Sequence, residues 1–391
     1  MLYSRLIFAL LGTVLLTACS GGSKTSFDAP EVSSTGYPWP VPSNIPLPIE
    51  PEDNPMSEEK FQLGRHLFYD NRLSGNGSQS CASCHHQDKA FTDGLTVSVG
   101  STGQKLARNA QSLINVAYNA TLTWANPSLS TLEQQAIIPI FGEDPVEQGI
   151  NDENRERILA EFAADSDYQK LFQAAFPTQA DPVSYANIVK GIASFVRGII
   201  TFNSPADRFE RGDASALTPA AQRGRTLFFS ESLECFHCHG GYNFSDSTLD
   251  SATTFVERPF HNTGLFNING TGDFPEDNTG IFEITGDPGD MGKFRAVSLR
   301  NIADTAPYMH DGSINTLDDV IDFYAAGGRV IETGALAGDG RLNPFKDGFV
   351  SGFQITQGEK ADLIAFLQSL SDPEIKRSPR FANPHTSTQP Q

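Results

Sequence analysis

A mostly α-helical fold in two related halves is predicted by three observations on this 391-residue chain. Apolar residues recur at helical spacing in the long segments, and no long stretch alternates as a half-buried strand does. Helix-start signals stand where those patterns begin: Ser57 before Glu58 and Glu59, Thr218 with Pro219, Thr316, and Thr356 with Glu359. One unit also occurs twice. Gly64-Arg65-His66-Leu67-Phe68-Tyr69 matches Gly224-Arg225-Thr226-Leu227-Phe228-Phe229, and each leads through a short loop into a Cys-x-x-Cys-His block.

Those blocks are Cys81-Ala82-Ser83-Cys84-His85 and Cys235-Phe236-His237-Cys238-His239. Two thiols three apart, followed at once by histidine, form the pattern for covalent c-type haem attachment. The thiols add across the two vinyl groups of one haem, and the adjacent imidazole reaches the iron from the proximal face. Two covalent c-type haems are therefore expected, with His85 and His239 as proximal iron ligands. Zinc would need four ligands gathered locally, which neither block supplies.

Taken in order, the chain opens on Arg5, an apolar run from Leu6 to Leu16, and Leu16-Thr17-Ala18-Cys19. This resembles a bacterial lipoprotein signal: a leader at 1–18 is removed and Cys19 is lipidated. Ser20 after that cysteine resembles outer-membrane sorting, so a periplasmic protein on a lipid anchor is expected. With Cys19 assigned and four cysteines in the two blocks, all five are used and no disulfide framework remains. Residues 19–55, rich in Ser, Gly and Pro, read as a tether. The first domain is drawn at 56–204, with Phe61, Leu67 and Phe68 on the apolar face of its first helix. Core helices are expected from Ile158 to Phe176 and from Tyr185 to Ile199. Asn203-Ser204-Pro205 breaks the pattern and marks the boundary. The second domain, 205–375, carries an acidic, Gly-rich loop at 267–293 and capped helices at Thr316–Tyr324 and Thr356–Leu370. A polar tail, 376–391, ends the chain. The formal charge of −19 repels phosphate backbones and argues against a nucleic-acid partner.

The histidines and methionines limit what closes each iron. After His86 the next histidine is His237, and no methionine lies between Met56 and Met291. The first haem thus has almost nothing to fill its sixth position: His86 adjoins the proximal ligand, and His66 reads as a packed helix histidine. An open iron binds small oxidants, whereas a closed one transfers electrons. For the second haem the distal candidates are Met291, Met309, His261, His310 and Tyr324.

Further motifs run from about Pro46 to Leu370: Leu63-Gly64-Arg65, Arg108-Asn109, Trp124, Leu132-Glu133-Gln134-Gln135-Ala136, Pro145-Val146-Glu147, Leu299-Arg300-Asn301 and Ala306-Pro307-Tyr308-Met309-His310-Asp311-Gly312. In order and spacing they resemble the bacterial di-haem cytochrome c peroxidase and MauG superfamily, and in detail its MbnH-like subgroup. The resemblance implies two cytochrome c-like domains, each with one haem, packed around an inter-haem calcium site. It implies that Gln135, Pro139 and Glu147 line the distal pocket of the first haem. Glu147 would shuttle the peroxide proton, Gln135 would orient the peroxide and Pro139 would limit access. The Gln135–Glu147 spacing is two residues longer than the family's usual pattern. Trp124 matches the tryptophan between the haems, and Asn109 with the carbonyls of Thr305 and Pro307 matches the calcium ligands. Peroxidases of the superfamily place a displaceable histidine about where Gly100-Ser101-Thr102-Gly103 stands, so the first haem should be open. Tyr324, fourteen residues after His310, falls where the peroxidases carry a methionine ligand and the MauG-like members a tyrosine. A thioether favours Fe(II) and raises the potential, whereas an anionic phenolate favours Fe(III). MauG has a relay tryptophan two residues before its second block; this chain has Leu233.

Three functions follow from these readings. The favoured one is a MauG-like oxidase that reacts with hydrogen peroxide and oxidises tryptophan of a partner protein, which the MbnH resemblance suggests is copper-binding. The alternative is a cytochrome c peroxidase fed by small redox proteins. The weakest is a non-enzymatic electron carrier, which needs both irons closed.

Overall fold

The computed structural model describes residues 36–386, so Cys19, the 1–18 leader and the end of the tail lie outside the described residues. The fold is helical. The elements are α1 (Glu58–Phe68), α2 (Leu132–Phe141), α3 (Arg155–Ala164), α4 (Ser166–Ala175), α5 (Tyr185–Arg197), α6 (Pro205–Glu210), α7 (Pro219–Phe228), α8 (Cys235–Cys238), α9 (Phe282–Thr285), α10 (Leu317–Ala326) and α11 (Gln357–Ser369). Among the described residues the named strands are a two-residue antiparallel pair, Val330–Ile331 with Gly338–Asp339. No described helix is long and apolar enough to cross a membrane.

Caps explain where the helices begin. Ser57 accepts from Lys60 N, Thr218 from Ala221 N and Thr316 from Asp319 N, while Thr356 and Glu359 close a reciprocal capping box. The predicted run from Ile158 to Phe176 is two helices rather than one. Asp165 ends the first and caps the second through Asp167 N and Tyr168 N, because its short carboxylate competes for backbone donors.

The repeated unit is a repeated packing. α1 crosses α5 at Gly64, where a Cβ would stand 1.9 Å from Gly191 O; α7 crosses α11 at Gly224, where a Cβ would stand 1.9 Å from Asp362 O. Only a missing side chain allows backbones that close. The matched phenylalanines then pack alike, Phe68 on Phe195 with centroids 4.9 Å apart and Phe228 on Phe366 at 5.2 Å. Two large apolar cores form around these crossings, one mainly from residues before 200 and one mainly from residues after 205.

Both ends of the described chain lie on the first core. In the tether segment Tyr37 is buried, and Trp39 stacks edgewise on it while donating to Glu50 Oε1. In the tail segment Phe381 is buried in the first core and Arg380 pairs with Glu58 at 2.9 Å. One aromatic anchor and one ion pair hold a stretch that is polar by composition.

A candidate active site at the two haem-attachment motifs

Each motif is a short helical turn following its Gly-Arg helix. In the first, His85 Nδ1 donates to Phe91 O at 2.8 Å; in the second, His239 Nδ1 donates to Phe244 O at 3.2 Å. Burial holds both imidazoles below their ordinary pKa, so each ring is neutral, and with Nδ1 committed Nε2 is the nitrogen left for a metal. The accepting residues are unusual. Phe91 (φ 61°) and Phe244 (φ 51°) are both left-handed, a conformation that costs a non-glycine residue about 1–2 kcal/mol. Each phenylalanine ring also meets the helix of its own unit, Phe91 against Phe68 and Phe244 against Phe228. Sequence reasoning missed these two residues. The signal was present as Phe91-Thr92-Asp93 and Phe244-Ser245-Asp246, a second repeat following each proximal histidine.

Between the halves lies a cavity of about 240 Å³ lined by Cys235, Cys238, His239, Trp124, Asn109, Thr305, Pro307, Met309, His310 and Tyr324. Leu317, Val320 and Ile321 line it too, so the α10 face expected from the sequence is the cavity wall. Burial raises the phenol of Tyr324 above its ordinary range, with the Cys238 and Cys235 thiols acting in the same direction. Of the other distal candidates, His261 has both nitrogens engaged: Nε2 to Asp246 Oδ2 and Nδ1 to Asp347 Oδ2, each 2.6 Å. Burial opposes its charge, yet the two carboxylates prevail and lift His261 to about 12. Met291 packs in the second core, and its carbonyl accepts from Asn262. His310 stacks on Phe294 with centroids 3.6 Å apart. Met309, Tyr324 and His310, whose buried Nε2 has no hydrogen-bond partner, remain on the cavity wall.

The chemistry of this lining fits a haem. Arg295 Nη1 and Gln111 Nε2 are buried at the cavity with no hydrogen-bond partner, a state that costs about 1–3 kcal/mol per neutral group and more for a charge. Burial also depresses Arg295 to about 10. Paired carboxylates such as haem propionates are the acceptors these donors lack.

On the first side, Gln135 and Pro139 stand one turn apart on α2, and Gln148 N donates to Pro139 O at 2.8 Å, which brings residue 147 alongside them. The longer connection is taken up in a turn closed by a bridge between Glu143 and Val146. Burial alone pushes the Glu147 carboxyl up to about 7. Burial and then neighbouring charges, Glu147 among them, raise the Cys81 and Cys84 thiols, so the carboxyl lies in the neighbourhood of this motif. The loop at Gly100 is stapled to the same segment. Ser101 N donates to Glu147 O at 2.7 Å, Val146 N to Gln104 Oε1 at 3.1 Å, and a Cβ on Gly100 would stand 1.8 Å from Val146 O. His66 is turned elsewhere, its Nδ1 against Gln62 O at 2.9 Å.

Trp124 Nε1 donates to Asn109 O at 2.8 Å, and Asn109 N donates to His310 O at 2.8 Å, so the 109 and 310 segments are tied together beside the tryptophan. Asn109 Nδ2 donates to Leu95 O at 2.7 Å, which leaves Oδ1 as the side chain's acceptor atom.

Comparison with known proteins agrees with this geometry. The di-haem cytochrome c peroxidase family pattern matches residues 58–215. Cytochrome-c peroxidase IdrP1 of Denitromonas iodatirespirans is 34% identical, covering 95% of each chain. Methylamine utilization protein MauG of Methylorubrum extorquens is 30% identical, covering 92% of this chain and 91% of its own. A crystal structure of a MauG-like protein associated with microbial copper homeostasis is 55% identical with a TM-score of 0.88, covering 89% of this chain and 99% of that one. Two haem-attachment units on one helical chassis, a half-buried carboxyl near the first and a phenol on the cavity wall of the second, stand beside relatives that place the chain among the haem oxidoreductases of the di-haem cytochrome c peroxidase and MauG family.

Proposed function

We propose that this enzyme is a MauG-like oxidase, lipid-anchored in the periplasm, that uses hydrogen peroxide to oxidise a tryptophan of a partner protein. The observation that carries this reading is Tyr324, whose phenol lines the cavity of the second motif from the apolar face of α10. Likeness to a MauG-like protein tied to copper homeostasis supports a copper-binding partner. Two covalent c-type haems would supply the cleavage of peroxide and the storage of its two oxidising equivalents. Peroxide takes two electrons and two protons and leaves as two waters; the electrons come from the partner's indole.

The chain's residues divide that work. Glu147, raised by burial to about 7, accepts a proton from one peroxide oxygen and returns it to the other near neutral pH. Gln135 orients the peroxide and Pro139 narrows its access. Trp124, on the wall of the second motif's cavity, would serve as the conduit. Asn109 Oδ1 with the carbonyls of Thr305 and Pro307 offers an oxygen set suited to calcium, which would fix the tied 109 and 310 segments. His85 and His239 would hold the two irons, with rings oriented by the carbonyls of Phe91 and Phe244.

Met309, on the same cavity wall, supports the second reading, a cytochrome c peroxidase fed by small redox proteins. Spectra and products of two variants separate them. Tyr324→Phe should change the second haem's optical spectrum and abolish modification of the partner, while Met309→Leu leaves both intact; the opposite pattern replaces the oxidase with the peroxidase.

A further inference from the structure

The outer side of the second motif carries a cluster that the peroxide chemistry does not use. His237 sits between Cys235 and Cys238, and its ring lies flat on Phe349, centroids 4.3 Å apart and planes 12° apart. Held this way, Nε2 stands 2.8 Å from Glu234 Oε2 and 3.4 Å from Glu231 Oε2. Glu234 reaches that position from a left-handed backbone (φ 60°). Its Oε2 is buried and accepts no hydrogen bond despite the short approach, so no donor is aimed at it. One ligand atom from each of the three residues falls within 4.8 Å of the other two. The imidazole Nε2–H is directed at the more distant Glu231 Oε2, so the 2.8 Å approach of Glu234 Oε2 to the same nitrogen is not a hydrogen bond. The nitrogen and the two carboxylate oxygens lie close enough together for one cation to reach all three, which would satisfy the unbonded Glu234 oxygen.

The ligand chemistry narrows the cation. One neutral imidazole and two carboxylates carry a charge of −2 and suit a divalent ion. Nitrogen in the set favours zinc or copper over calcium or magnesium. Glu231 is 79% exposed, so the site is open on its solvent side and can exchange its ion. We infer that Glu231, Glu234 and His237 form a surface site for a divalent transition-metal cation of the zinc or copper class, seated against the second haem-attachment motif. His237 is flanked by both cysteines, so a bound cation adds positive charge beside that haem and opposes its oxidation. Binding at the site stands without the proposed oxidase reading; the coupling needs only that the second haem is attached.

The test uses the di-haem protein, supplied with calcium to fill any oxygen-ligand site. Zinc is titrated by calorimetry, and copper(II) by electron paramagnetic resonance. The inference expects one equivalent with nitrogen coupling in the copper spectrum and a rise in the second haem's midpoint potential on zinc loading. His237→Phe keeps a ring to stack on Phe349 and should lose the nitrogen coupling and the potential shift. Glu231→Gln, a solvent-facing change that leaves the core untouched, should weaken zinc by roughly 10- to 100-fold, no less than the loss of a second-sphere partner. Equal zinc affinity in the wild type and both variants, or a copper spectrum without nitrogen coupling, would make the cluster an ion pair only and overturn the inference.

Discussion

Glu147→Gln should stabilise the protein and slow its reaction with peroxide, and both effects come from the same burial. Desolvation lifts this carboxyl from its ordinary 4.5 to about 7. At about 1.4 kcal/mol per pH unit, the ionised form is disfavoured in the folded state by about 3 kcal/mol. Below pH 4.5 folded and unfolded chains both carry the neutral acid, and the term vanishes. Between 4.5 and 7 the unfolded chain ionises first and stability falls; above 7 the full amount is lost. Glutamine never ionises, so the variant should match the wild type in urea unfolding at pH 4 and exceed it by up to about 3 kcal/mol at pH 8. Stopped-flow mixing of the diferric protein with hydrogen peroxide should show the reverse. The wild-type rate should climb through pH 7 as Glu147 becomes a base, while the variant should be slower by about a hundredfold or more and lack that climb. A stability gain without a rate loss would leave Glu147 buried but idle and move the proton to Gln135 or water. A rate loss with no pH-dependent gain in stability would refute the desolvation itself.

Three further outcomes are expected. Denatured protein should keep its colour after acid-acetone extraction, and replacing Cys81 or Cys235 with alanine should remove one haem each; a colourless pellet would exclude covalent attachment. Asn109→Ala should weaken calcium binding and the spectroscopic coupling of the haems more than it lowers the unfolding midpoint, which chelator titration checks. Gly100→Ala forces a Cβ to within 1.8 Å of Val146 O; it should destabilise by about 1–3 kcal/mol and shift the pH dependence of the peroxide reaction, because the displaced backbone carries Glu147.

Much of the chassis was legible because its signals are local. The motifs are contiguous, the caps at Ser57, Thr218, Thr316 and Thr356 precede their helices directly, and the α10 face needs only a period of 3.6. What escaped was held by contacts between distant segments. The His261 clamp needs Asp246 and Asp347, 15 and 86 residues away. The staple of the Gly100 loop onto Glu147 is mostly backbone, which leaves no pattern of side-chain types beyond a glycine. Phe91 and Phe244 escaped for another reason: left-handed φ is foreseen at glycine or asparagine, and a phenylalanine held there by its ring reads as ordinary core.

The two units share their helix crossing, their proximal histidine and the phenylalanine that orients it, so different chemistry must come from what each brings to the distal side. The two groups proposed for the distal sides are both acids raised by burial, but their distances from neutrality differ. Glu147 arrives at about 7, where its proton is gained and lost with equal ease. Tyr324 is driven further from neutrality, so in this cavity the phenol keeps its proton unless a cation stands beside it. In the function we propose, a carboxyl in the first position serves a proton transfer that must run in both directions within one turnover. In the second position, the proposed phenol ligand would become anionic only when a ferric ion lay within reach, which would couple its ionisation to haem occupancy and not to solvent pH. If so, the second haem's ferric spectrum in the wild type should be flat across the range in which the Glu147-dependent rate titrates, and a shared midpoint near 7 would show that the two sites are not divided in this way.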